Sequence, residues 1–200
     1  WDLTKDCLAS IDAQEIPCTY EKVLVDNGST EALCLVRDGW RTVRYDDNQG
    51  HIVGQNRCFE SAQGKWVLFV ANDVRLQKDC IKELLNNGMN SQVPWAKFFL
   101  KQPRLYRPGG PIDNEGLMWW WPGYGTSLKG LRPWTPSSFS SSCYLIPKNV
   151  WEQVGGFDEH LETSHEDIDF CLTARRYGIW TDRVWTAQVL HLGNATLRHQ

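Results

Sequence analysis

No apolar run in this 200-residue sequence approaches the roughly 18 residues that a membrane-spanning helix requires, so no membrane span is expected. Clusters of lysine and arginine are also missing. With a formal charge of −3 and 22% charged residues, the chain lacks the electrostatic footprint of a nucleic-acid or membrane-surface binder. The seven cysteines, at positions 7, 18, 34, 58, 80, 143 and 171, contain no C-x-x-C pair and are odd in number. That disfavours a disulfide framework and a structural zinc site; the thiols read as packing residues, and a reducing, cytoplasmic compartment is expected. Internal repeats and low-complexity tracts are absent. The chain opens at Trp1 rather than Met, with no basic-then-apolar leader, so its natural start is expected to be missing. Its length suits one domain with a full core, or one domain carrying a long insertion.

Tryptophan, by contrast, is abundant: there are eleven, several of them in "GLMWWWPGYGTSLKGLRPW". Indole rings suit stacking on flat apolar faces, the C–H faces of sugars among them.

Hydrophobic periodicity predicts helices over 3–11, 30–36, 51–61, about 77–87, 148–154 and 164–178. Apolar runs predict strands at "EKVLVDN", "RTVRY", "KWVLFV", 96–100 and "SSCYLIP", with two strands or one broken strand in "IWTDRVWTAQVLHLG". Strands alternating with helices imply an α/β sandwich on a mostly parallel sheet.

Three segments combine acids with turn chemistry. After one strand, Asp26-Asn27-Gly28-Ser29 reads either as a plain turn and helix cap or as a place where carboxylate and amide groups bind a base or ribose. After "WVLFV" come Asn72-Asp73-Val74. Here Asp73 either begins a turn or meets a hard divalent cation, Mg²⁺ or Mn²⁺, which needs few protein ligands when phosphates supply the rest. The third segment, "GGFDEHLETSHEDIDF", holds six acids and two histidines. Ser164 and Asp167 resemble a capping box, so a charged helix start is one reading. In the other, a carboxylate at the helix N-terminus stays ionised near neutral pH and takes a proton from a sugar hydroxyl. His191 in "VLHLG" is either a core histidine or a metal ligand.

Four stretches, "VLVDNGSTEA", "NQGHIVGQNRCFESAQGKWVLFVANDV", "CYLIPKNVWEQVGGFDEHLETSHEDIDFCLTARRYG" and "VLHLG", together resemble in order the family 2 glycosyltransferases of the GT-A fold, notably the rhamnosyltransferase-like branch. The four stretches hold 78 of the 200 residues and are spread over positions 23–193. The resemblance implies a single GT-A domain over 1–200: an α/β/α sandwich of the Rossmann-like nucleotide-diphospho-sugar transferase type. By position it assigns Asp26, Asn27, Asn56, Asn72 and Asp73 to the donor nucleotide sugar, with UDP favoured. Asp73 and His191 are assigned to a divalent metal, Mn²⁺ or Mg²⁺. Asp167 becomes the catalytic base of an inverting transfer to a carbohydrate or other hydroxyl acceptor, with Glu166 orienting that acceptor. The family's D-x-D element is reduced here to Asn72-Asp73-Val74.

Trp119, Trp120, Trp121 and Tyr124, in an insert over about 104–138, are expected to form an acceptor wall or a lid, with Gly123 and Gly125 as hinges. Family members open with a buried strand; here it is expected to be missing, because the chain begins in the following helix. A retaining transferase, a non-catalytic sugar- or nucleotide-binding module and a nucleotidyltransferase are the competing functions. The last normally has a basic, glycine-rich phosphate loop near its start, which this sequence does not show.

Overall fold

The computed structural model describes residues 2–29, 38–86, 98–114, 117–120, 124–127, 138–161 and 165–193. The elements run α1 (Asp2–Asp12), β1 (Lys22–Asn27), β2 (Trp40–Tyr45), α2 (His51–Ser61), β3 (Trp66–Val70), β4 (Val74–Leu76) and α3 (Cys80–Asn86). They continue with β5 (Phe98–Tyr106), β6 (Ile112–Asn114), β7 (Leu117–Trp120), β8 (Tyr124–Ser127), β9 (Cys143–Pro147), α4 (Lys148–Val154), α5 (Glu166–Arg176) and β10 (Ile179–His191). The helix expected at 30–36 lies outside the described residues.

The apolar runs in β3 and β9 have a common cause, burial on both sheet faces. In β9, Tyr144 and Ile146 point into a cluster with Ile52 and Phe59 of α2, Val150 and Trp151 of α4, and Phe170 and Ala174 of α5. Cys143 and Leu145 point the other way, to Cys80, Ile81 and Leu84 of α3, with Ile11 of α1 at its border. Helices thus cover both faces, giving the expected α/β/α sandwich. The first cluster is aromatic at its centre: Phe59 and Trp151 stack with centroids 3.7 Å apart, and Phe139 stacks on Tyr144 at 4.4 Å. One of the eleven tryptophans is therefore core. Cys7, Cys18, Cys58, Cys80, Cys143 and Cys171 are free thiols, and four of these, Cys7, Cys80, Cys143 and Cys171, are buried. Among the described residues no helix is long and apolar enough to cross a membrane.

The expectation of a mostly parallel sheet is corrected. The six-stranded sheet has the order β3-β9-β5-β10-β4, with β6 on β5, and within it only β5 and β10 run parallel. Parallel neighbours need a long crossover. Here β4 follows β3 after the short turn Ala71–Asp73, and the path from β5 to β9 passes through β6, β7 and β8, which the helix–strand alternation did not reveal. A separate pair, β1 and β2, is parallel. Helix α2 packs against both β1 and β3, and each of those strands has one hydrogen-bonded neighbour among the described residues. The last strand is single rather than double, with a register break between Val184 and Gln188 opposite Pro103 and Arg104. Pro103 has no N–H to offer the ladder, which suits an interruption there.

Candidate active site

The turn after β1 is built by its own side chains. Asp26, 1% exposed, accepts the Ser29 N–H at 2.9 Å and pairs with the Arg44 guanidinium. Burial alone would raise its pKa, but the Ser29 and Arg44 bonds outweigh that and hold the carboxyl below its usual range. Asn27 donates to Gly50 O at 2.9 Å and accepts from Arg57, tying the start of α2 to the end of β1. Gly28 has φ +78°, and a Cβ there would lie 2.3 Å from Asn48 N, so no other residue fits this approach. Asn56, in α2, donates to Phe157 O at 3.0 Å and Glu159 Oε1 at 2.8 Å, and accepts from Phe157 N at 3.0 Å. Its amide thus pins the loop that leads towards α5.

At the end of β3 the chain turns through Asn72 and Asp73. Asn72 donates to Thr4 Oγ1 at 3.3 Å and is exposed. Antiparallel pairing sets His191 of β10 opposite Val74 of β4, and Leu192 N donates to Asp73 O at 2.9 Å. This register puts His191 Nε2 3.4 Å from Asp73 Oδ2. The other ring nitrogen, Nδ1, lies 2.8 Å from Asp113 Oδ2, and Arg107 Nε donates to Asp113 Oδ1 at 2.6 Å. The Asp73 bond raises the His191 pKa above 6.5, against the effect of burial and with Asp113 adding to it. Burial favours the neutral Asp113 acid, but Arg107 and His191 prevail and lower its pKa.

Whether this corner suits a divalent cation depends on its donors. A hard ion with ligands at about 2.1 Å can be shared by an oxygen and a nitrogen 3.4 Å apart. No group of three or more histidine, cysteine or acidic side chains among the described residues could hold a metal alone. The corner therefore fits an ion that takes its remaining ligands from a diphosphate.

The second acidic group opens α5. Its N-cap is His165, in the left-handed region at φ 76° and without a side-chain cap bond; Ser164 of the expected capping box is outside the described residues. Glu166 is 3% and Asp167 8% exposed. Gln55 Nε2 donates to Glu166 Oε1 at 3.4 Å, His51 Nε2 lies 3.4 Å from the same oxygen, and Tyr144 Oη donates to Gln55 Oε1 at 2.8 Å. Burial would raise Glu166, but His51, its own N–H and Ser141 hold it down. Asp167 goes the other way: burial, then the charge of Glu166, push it up to about 7, against backbone N–H bonds from Ile168 and Ser141. The expectation of a carboxylate held ionised by the helix start is thereby corrected, since desolvation and a neighbouring anion outweigh the macrodipole.

Consecutive residues join the two acidic groups. Ser141 bonds to Glu166 and Asp167, while Ser142 Oγ lies 3.3 Å from His191 Nε2. Asp73, His191, Glu166 and Asp167 therefore flank one strand entrance, the start of β9. The hairpin of β7 and β8 places Trp120 opposite Tyr124 and Trp119 opposite Gly125; Trp121 and Gly123 lie outside the described residues. Sequence reading missed Asp113, Arg107, His51, Gln55, Ser141 and Ser142. Only His51 and Gln55 carried a signal, their i, i+4 spacing on α2.

Against known proteins, the sequence profile described as "Glycosyl transferase family 2" matches residues 1–155. The Haloferax volcanii low-salt glycan biosynthesis hexosyltransferase Agl10 is 26% identical over 186 residues, covering 86% of this chain and 58% of that protein. The Shigella flexneri dTDP-rhamnosyl transferase RfbF is 23% identical over 192 residues, 94% of this chain and 60% of that one. The crystal structure of GalNAc-T7 with UDP, GalNAc and Mn²⁺ superimposes with a TM-score of 0.75 at 13% identity, covering 96% of this chain and 41% of that chain. In each case the chain spans less than two thirds of the other protein. The structural likeness establishes the GT-A fold.

Proposed function

Because the chain belongs to glycosyl transferase family 2, we propose that it moves a sugar from a nucleotide-diphosphate sugar, a UDP-sugar in the first instance, to an acceptor hydroxyl with inversion. The observation that carries this reading is the pairing of two unlike acidic sites across Ser141 and Ser142. One suits a diphosphate and its cation; the other suits proton transfer.

In the proposed step Asp167 takes the proton of the acceptor hydroxyl, and the oxygen forms a bond to the anomeric carbon on the face opposite the diphosphate. The bond from that carbon to the diphosphate oxygen breaks, and the nucleoside diphosphate leaves with the electron pair. A pKa of about 7 suits a base working near neutral pH. Glu166, ionised beside His51, orients the acceptor. Asp73 and His191 would hold Mn²⁺ or Mg²⁺, which supplies charge to offset that of the leaving diphosphate. On the donor side, Asp26, Asn27 and Asn56 shape the pocket through the bonds described above, and Asn72 borders the diphosphate. By sequence position alone, Trp119, Trp120, Trp121 and Tyr124 are assigned to the acceptor.

The test is nucleoside-diphosphate release from UDP-, dTDP-, GDP- and ADP-sugars with Mn²⁺, Mg²⁺ or EDTA, in wild type, Asp73→Ala and Asp167→Asn. Release from one donor class that requires metal and is lost in both variants supports the proposal and identifies the nucleotide. A product of unchanged anomeric configuration would make the enzyme retaining. Donor binding without release, indifferent to EDTA, would make the chain a binding module, a reading favoured by the single acid in Asn72-Asp73-Val74.

A further inference from the structure

We propose that Asp113 is a positioning residue for the cation corner, holding His191 so that its Nε2 faces Asp73; this rests on the reading of Asp73 and His191 as metal ligands given above. The histidine ring is held at both nitrogens, with Nδ1 2.8 Å from Asp113 Oδ2 and Nε2 3.4 Å from Asp73 Oδ2. A neutral imidazole carries one N–H and one lone pair. A carboxylate at Nδ1 accepts the N–H there and leaves the lone pair on Nε2, the arrangement that a cation beside Asp73 requires.

Asp113 is itself fixed. Arg107 Nε donates to its Oδ1 at 2.6 Å, so each carboxylate oxygen has its own partner. The backbone contributes as well. Leu105 pairs with Asn114 and Tyr106 with Ile112, so β6 carries one extra residue against β5, and that residue is Asp113. A bulge of this kind frees a side chain from the strand's alternation and re-aims it, as bulges beside functional sites commonly do. The turn that closes the hairpin, with Arg107 N donating to Pro111 O at 2.9 Å, brings Arg107 and Asp113 face to face. The chain beyond His191 passes the same guanidinium, since a Cβ on Gly193 would lie 3.9 Å from Arg107 Cζ. A segment absent from the sequence motifs thus supplies the outer support of the site.

The experiment is Mn²⁺ binding followed by electron paramagnetic resonance, on protein grown with ¹⁵N-histidine, alone and with UDP or dTDP. Wild type is compared with Asp73→Ala, His191→Ala, Asp113→Asn and Arg107→Met, and thermal melting is measured on each. Asp113→Asn is expected to weaken Mn²⁺ binding by about 10- to 100-fold and to diminish the histidine-nitrogen coupling to Mn²⁺. Arg107→Met, which keeps the carboxylate, is expected to produce a smaller loss of the same kind; it decides the matter if Asp113→Asn does not fold. Mn²⁺ affinity and nitrogen coupling equal to wild type in both variants, with binding lost in Asp73→Ala and His191→Ala, would overturn the role of Asp113 and leave the metal reading standing. No saturable binding in wild type, or binding indifferent to Asp73→Ala and His191→Ala, would overturn the metal reading and this inference with it.

Discussion

Glu166 and Asp167 are consecutive and both buried, yet Glu166 faces His51, 3.4 Å away, while Asp167 has the backbone N–H groups of Ile168 and Ser141. Their titrations separate accordingly, Glu166 downwards and Asp167 up to about 7. If Asp167 is the base, kcat/KM rises with pH through about 7, because only the deprotonated carboxylate accepts the acceptor's proton. Asp167→Asn is expected to lower turnover by about 10²- to 10⁴-fold. Glu166→Gln removes the neighbouring anion and moves the acidic limb to lower pH. A limb that stays in place in Glu166→Gln, measured with the donor saturating, would count against this assignment.

The same shift bears on stability, with its own sign. The folded-state pKa of Asp167 is raised above its ordinary 3.8, so the native protein keeps a proton that the unfolded chain releases. The contribution is complete below about pH 3.8 and is lost as pH rises towards and through about 7. Asp167→Asn is therefore expected to melt higher than wild type at pH 8, by an amount on the order of a few kcal/mol that shrinks towards pH 4. Melting curves of both proteins across that range test the sign directly.

Asn56 makes three bonds to the segment around Phe157 and Glu159, two of them buried. Each bond lost from a buried amide is worth about 1 kcal/mol, and the backbone groups of Phe157 would be left unpaired. Asn56→Ala is expected to destabilise the fold by about 1–3 kcal/mol and to lower turnover through a loosened approach to α5. A rise in donor KM with melting unchanged would instead assign the amide to the donor itself.

The hairpin of β7 and β8 sets Trp120 opposite Tyr124. As acceptor-wall residues, each aromatic contributes about 0.5–1.5 kcal/mol of contact, so Trp120→Ala is expected to raise acceptor KM by roughly two- to twelvefold. Donor hydrolysis without acceptor should be unaffected. Acceptor kinetics equal to wild type in a folded variant would remove these residues from the site.

The layered architecture was legible because β3 and β9 are apolar without interruption, and only strands covered on both faces read that way. Asp73 and Asp167 were legible from their place at element ends, Asp73 after a buried strand and Asp167 in the first turn of a helix. Strand direction was not, because β4 and β6 are three residues each and leave no periodicity to read. Asp113 lies 40 residues after Asp73 and 78 before His191, as the numbering gives, and only the bulge in β6 and the register of β10 bring the three together. The titration of Asp167, pushed up to about 7, departs from the expected carboxylate ionised by the helix start for a related reason. Sequence shows the helix start, whereas the burial of Asp167 emerges only from packing.

Two glycines with nearly the same backbone angle separate strain from crowding. Gly28 has φ +78° and Gly39 φ +77°, but a Cβ on Gly28 would lie 2.3 Å from both Asn48 N and Asp47 C, while on Gly39 it would meet nothing within 4 Å. Gly39→Ala carries only the left-handed strain, about 1 kcal/mol. Gly28→Ala carries that strain and must also push backbone away from the turn that Asp26 and Asn27 hold together. It is expected to cost more than about 3 kcal/mol or to prevent folding. Denaturant melts of the two variants provide the comparison. Equal losses would mean that the Asp47–Asn48 backbone yields freely, and then the turn after β1 would be too soft to shape a donor pocket.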